Sequence, residues 1–204
     1  MRIAPILIGL AIGAVALSPA QASITFIVGN APQAGQELVL FPDQGPSAAV
    51  VGTSTSVSTN TITLAGTSTG GDQLTALNFA VSVPNSLIQS LTLNPSTPLD
   101  LLIFNVTDAS GMLEYTVYDN LGGAFTFTMA GDNGQNFITI DATSGETIES
   151  VTLTAADGFV SARNFQAIFL PNAVPEPTTW MIMLLGFGFM GCRLRVGRHR
   201  LLPI

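Results

Sequence analysis

The side chains able to do chemistry between the two hydrophobic ends of this chain are carboxylates and little else. Residues 23–177 hold all 13 acids of the sequence, among them Asp72, Asp100, Asp108, Glu114, Asp119, Glu146, Glu149 and Asp157, against one base, Arg163. The chain has no lysine, its single histidine is His199 and its single cysteine is Cys192, both in the C-terminal tail. Ser-His-Asp triads, Cys-His pairs, Schiff-base lysines and His-ligated zinc are therefore excluded from the region. A carboxylate pair for glycoside cleavage would need two acids at a defined separation, and no spacing singles out such a pair. The expectation is a non-enzymatic protein with no catalytic residues and no cofactor. Asp132, Asn133 and Asp141 flank a predicted hairpin and are weak calcium candidates, since the spacing is not that of an EF-hand and an Asx-type turn is the plainer explanation.

With 13 acids and one base the region carries a net charge of −12. Such a surface cannot neutralise phosphates, which excludes nucleic acid as a partner, and it repels an anionic bilayer. With no cysteine in the region, stability must come from an apolar core without disulfides.

β-Branched and aromatic residues alternate with Ser, Thr and Asn through most of residues 23–171, the period of half-buried strands. Leu77, Phe79, Val81 and Val83 form one face against Asn78, Ala80 and Ser82, and Leu91/Leu93, Leu113/Tyr115/Val117 and Phe125/Phe127/Met129 repeat the pattern. Turn sequences at Asp108–Gly111, Asp119–Gly123, Gly131–Gly134 and Ser144-Gly145 separate the strands. Asn133-Gly134 predicts a hairpin joining Phe125–Met129 to Asn136–Asp141. Residues 44–71, rich in Gly, Ser and Thr, read as edge strands or a mobile lobe rather than core. The fold expected is all-β, an antiparallel β-sandwich, jelly-roll-like, with a barrel as the alternative.

Sugar sites usually present aromatic platforms. This region has no tryptophan and only Tyr115 and Tyr118, and most of its phenylalanines sit at core parity. Thr-x-Thr steps at Thr53/Thr55, Thr61/Thr63, Thr67/Thr69, Thr126/Thr128 and Thr152/Thr154 could bind ice if aligned on a flat sheet, but their spacing is irregular and threonine is common on wet strand faces.

The ends carry addresses. Met1-Arg2, the apolar run Ile3–Leu17 and the small residues Ala20 and Ala22 predict a signal peptide over residues 1–22, cleaved before Ser23. After a linker from residue 172, Val174-Pro175-Glu176-Pro177 cannot continue a helix; Trp180 follows, then the uncharged stretch Met181–Cys192 and a basic end with Arg193, Arg195, Arg198 and Arg200. Thr178–Cys192 as a helix rises about 22 Å, short of the roughly 30 Å hydrocarbon core, so this predicted transmembrane helix is a marginal span. Trp180 suits one interface and the arginines the cytoplasmic one. Gly186, Gly188 and Gly191 leave one helix face open to close approach by another helix.

Residues 174–195, VPEPTTWMIMLLGFGFMGCRLR, resemble the PEP-CTERM sorting signal in its PEPxxWA variant, common in Gram-negative proteobacteria. Pro175, Glu176 and Pro177 match the motif, Trp180 its tryptophan, Gly186-Phe187-Gly188 its glycine-rich helix, and Arg193 and Arg195 its basic end. Met181 stands where alanine is usual, and Leu194, Val196 and Gly197 interrupt the arginines. The resemblance implies recognition by an exosortase, a membrane intermediate at the inner membrane, and delivery to the cell surface or an exopolysaccharide (biofilm) matrix. Such tails also go under an ice-binding-protein label, which names no ligand. Asn133–Ile140, Gly145–Ile148 and Arg163–Gln166 resemble a β-rich module often carried ahead of this signal. The function expected is that of an exosortase-sorted surface or matrix protein; the alternative is a carbohydrate-binding, or else ice-binding, β-sandwich module.

Overall fold

A computed structural model describes residues 23–77 and 79–170. The predicted signal peptide with Ala20 and Ala22, and the tail from Val174 through Trp180, Gly186, Gly188 and Gly191 to Arg193 and Arg195, lie outside the described residues.

The described residues form fourteen strands, in chain order β1 (Ser23–Val28), β2 (Glu37–Leu40), β3 (Gln44–Ser47), β4 (Ala49–Ser54), β5 (Thr61–Ser68), β6 (Leu74–Leu77) and β7 (Ala80–Ser82). Then come β8 (Ile88–Pro95), β9 (Leu99–Thr107), β10 (Met112–Asp119), β11 (Ala124–Ala130), β12 (Gln135–Thr143), β13 (Ile148–Phe159) and β14 (Ser161–Phe169). Every pairing is antiparallel. One run reads β1-β12-β9-β14-β7-β6-β3, the other β2-β4-β5-β8-β13-β10-β11. The runs join where β14 pairs β2 at Gln166–Leu38 and where Ile148 of β13 meets Leu99 of β9, so the two layers of the antiparallel sandwich are hydrogen-bonded to each other at these two places.

Aromatic rings fasten the two sheets. Phe104 of β9 stacks on Phe165 of β14 with centroids 5.5 Å apart and meets the edge of Tyr115, on β10 of the facing sheet, at 6.0 Å. Phe165 in turn holds Phe41 at 4.9 Å. Phe41 lies against Gly52 of β4, where a Cβ would stand 2.6 Å from the ring, so glycine is required for the ring to fit. At the far edge Phe26 of β1 stacks on Phe127 of β11 at 5.2 Å. Phe165 reaches the core through a β-bulge: Asn105 pairs with Arg163 and Ile103 with Gln166, and the extra residue, Asn164, takes φ 57°, a left-handed value that asparagine tolerates.

Three sequence expectations need correction. The Leu77–Val83 alternation is two strands, not one: the chain reverses between Leu77 and Ala80, with Phe79 at φ 64°. Core parity inverts across this turn, so Leu74 and Ala76 are buried before it and Val81 and Val83 after it, while Leu77 and Phe79 are 57% and 54% exposed. Asn133-Gly134 closes no β11–β12 hairpin. The Asn136 amide, itself buried, accepts from the Asp132 N–H and donates to the Asp132 and Val106 carbonyls, which carries the chain across to the other sheet. Of residues 44–71, β3 is indeed an edge, but β5 runs between β4 and β8 with Ile62 and Leu64 fully buried. Its small residues serve packing, for a Cβ on Gly66 would lie 2.4 Å from the Ser90 carbonyl oxygen.

Candidate functional site

The calcium candidates from the sequence are not brought together. Asp132 and Asn133 lie exposed before the start of β12, while Asp141 is near its end, paired with Thr25 and Leu101. Six residues of strand from Gln135 to Asp141 span about 20 Å. Asp141 instead faces Asp100, whose carboxyl is raised above its usual range by burial and by that neighbouring charge. No group of three acidic, histidine or cysteine side chains converges among the described residues.

Two other carboxylates do meet. Asp119 ends β10 and caps its own turn, its Oδ1 accepting from the N–H groups of Leu121 (3.0 Å) and Gly123 (2.5 Å). Glu146 follows the β12–β13 turn, in which Ser144 and Gly145 both take positive φ, and hydrogen-bonds the Asp119 side chain. Both residues are buried, at 6% and 4% exposure, and Glu146 Oε2 has no partner. The two turns are also tied by Thr147 N–H donating to Asn120 Oδ1 at 3.1 Å. Desolvation, then the Asp119 charge and hydrogen bond, raise the Glu146 carboxyl above the usual glutamate range. A raised folded-state value stabilises fully below the unfolded pKa and is lost as pH rises through the folded one. In metal-free buffer, thermal stability should therefore fall as pH rises above the ordinary glutamate range, about pH 4.3, and Glu146→Gln should flatten that fall. Asp100 titrates in the same sense, so the readout is the difference between the two melting curves. Parallel curves would refute the coupling.

The outer face of the β9 sheet is covered. From β1 the chain passes over it as a strap: Ala31 N–H donates to Thr139 Oγ1, which donates to the Gly29 carbonyl, and Gln36 Nε2 donates to Gln166 Oε1. Thr139 and Ile103 are thereby fully buried. Asn105 is buried on the same face with neither amide atom partnered, beside Arg163, whose Nε is also unpartnered. A shallow depression of about 290 Å³ is lined by Leu40, Pro42, Thr53, Ser54, Thr55 and Phe79. Its Ser54 hydroxyl is already committed to Glu37 and to the Ser56 and Val57 amides.

The outer face of the other sheet is a field of hydroxyls. Strand register places Thr126, Thr116, Thr152 and Thr92 on one rung across β11, β10, β13 and β8. The next rung reads Thr128, Glu114, Thr154, Ser90 and Thr67. Thr67 and Ser90 hydroxyls lie 2.7 Å apart, Thr92 and Thr152 3.4 Å. Two of the Thr-x-Thr steps, Thr126/Thr128 and Thr152/Thr154, line up across the sheet, because register brings threonines distant in sequence onto the same rungs. Thr116 and Thr92, which belong to no such step, complete the rung.

Beyond Leu170, the last described residue, a family model for the PEP-CTERM protein-sorting motif matches residues 173–200. The chain carries a PEP-CTERM sorting motif. The match spans Pro175-Glu176-Pro177, Trp180, the apolar stretch and all four tail arginines, and it indicates an exported, exosortase-processed protein. No curated protein matches the chain. Among solved structures, the chain is similar to variants of a family 29 carbohydrate-binding module. One, in complex with mannohexaose, is 11% identical with a TM-score of 0.31, over 74% of this chain and 94% of that one. A second is 13% identical with a TM-score of 0.32, over 72% and 92%.

Proposed function

We propose that this protein is a non-enzymatic surface or extracellular-matrix component: exported by a signal peptide cleaved after Ala22, held briefly in the inner membrane by its short tail helix, and processed by an exosortase. The observation that carries this reading is the sorting motif at residues 173–200, which begins three residues after the folded domain's last described residue. The domain it delivers has a net charge that disfavours nucleic acid and contains no His, Cys or Lys. The test is mass spectrometry of the full chain expressed in a host with its exosortase and in the same host with the enzyme deleted. A product beginning at Ser23 and truncated in the tail only when the enzyme is present is expected; an identical tail in both hosts overturns the reading.

The hydroxyl rungs favour a second reading, in which the domain contacts a neutral exopolysaccharide through the face of β11, β10, β13 and β8. Ranks of threonine hydroxyls can exchange hydrogen bonds with sugar hydroxyls without an aromatic platform. Retention of the domain by the host's own exopolysaccharide, weakened by Thr152→Val with Thr126→Val, supports it; equal retention of parent and variant removes it.

A further inference from the structure

Asp119 and Glu146 place two buried carboxylates against each other with no cationic side chain to balance them. The only base among the described residues, Arg163, pairs with Asn105, whereas Ile148, next to the carboxylates, pairs with Leu99. Along β9 these positions are six residues, about 20 Å, apart. Burying two carboxylates without a counter-charge is strongly unfavourable. One arrangement removes the conflict by sharing a proton; another supplies a divalent cation. Three features favour the cation. Glu146 Oε2 is buried and has no partner, so one oxygen is left over by the proton-sharing arrangement. Asp119 uses Oδ1 to hold its own turn, which fixes its carboxylate beside Glu146. The Thr147–Asn120 hydrogen bond holds the two turns together independently of the carboxylates, so their separation is preset.

We propose that the β10–β11 and β12–β13 turns form a calcium site whose anionic ligands are Asp119 and Glu146. Calcium suits an all-oxygen set of variable geometry in which two carboxylates neutralise the ion and water completes six to eight ligands; magnesium would demand a stricter octahedron. The site's geometry stands without the sorting reading. Bound calcium would clamp the turn of the outermost hairpin, β10–β11, to the turn that leads into β13.

The test uses the full chain in detergent, stripped with EGTA and then titrated with calcium chloride, with sodium chloride at matched ionic strength as reference. At an affinity of about 0.1–1 mM, usual for extracellular modules, 10 mM calcium should raise the melting temperature by about 5 °C. Glu146→Gln should lose that rise, while Glu149→Gln, an exposed carboxylate three residues away, should keep it. Calorimetric titration of the unaltered protein gives a readout that needs no variant, and saturable heat at one equivalent is expected. No saturable heat, or a rise that persists in Glu146→Gln, overturns the site.

Discussion

Phe104→Ala should remove about 3–5 kcal/mol of stability, a large part of the 5–15 kcal/mol that holds a domain of this size together. The ring is fully buried and touches both layers, stacked on Phe165 within its own sheet and set edge-on to Tyr115 in the facing one. Phe165 is committed in turn to Phe41, and Phe41 to the space above Gly52, so the neighbours cannot collapse into the vacancy without moving a chain of aromatic contacts. The melting temperature should fall by about 6–15 °C. Phe79→Ala, at a ring 54% exposed, should change stability by less than about 1 kcal/mol. Urea titration of both variants checks the pair of values. A Phe104→Ala midpoint close to the parent's would mean that the two sheets are not fastened through this ring.

Changing Pro175-Glu176-Pro177 to alanines should abolish tail processing outright. In the proposed sorting reading, the two prolines would keep the segment extended and present Glu176 outside the bilayer, with Trp180 setting the depth of the apolar stretch. Alanines would let a helix continue outward through the recognition segment. Replacing Arg193, Arg195, Arg198 and Arg200 with glutamine should fail differently, by removing the positive bias that retains the tail on the cytoplasmic side, so that protein appears in the medium with its tail uncut. Mass spectrometry of cell-bound and released fractions separates the two failures. If both variants mature like the parent, the motif is not what the processing enzyme reads.

The strands were largely legible because alternation reports burial directly: Leu113, Tyr115 and Val117 are all fully buried, as their period requires. What alternation cannot report is a reversal that keeps the rhythm, and the Leu77–Val83 segment is that case. A short turn centred on an exposed phenylalanine carries none of the usual glycine or proline marks. Asn133-Gly134 failed for a different reason. Turn chemistry states that the chain bends, but whether the flanking strands pair depends on which sheet each joins, and here the Asn136 amide decides it. Among the candidate sites, Asp119 was visible as a turn residue and Glu146 only as one acid among many. Their meeting depends on two turns that lie 27 residues apart, a separation no local pattern encodes. The threonine rungs are similar, since register, a tertiary property, turns irregular spacing into order. The sorting motif at residues 173–200 was readable because its signal is linear: motif, apolar stretch and basic end in sequence.

The last strand before the tail, β14, is not at an edge. It lies between β9 on one side and β7 with β2 on the other, in antiparallel register from Ser161 to Phe169. A pull transmitted through the tail would enter the domain along this interior strand and load its hydrogen bonds to both neighbours side by side, in shear. They would have to break together, whereas an edge strand could be peeled away one bond at a time. In the anchored intermediate proposed above, the domain would therefore bear tension through this strand before it unravels.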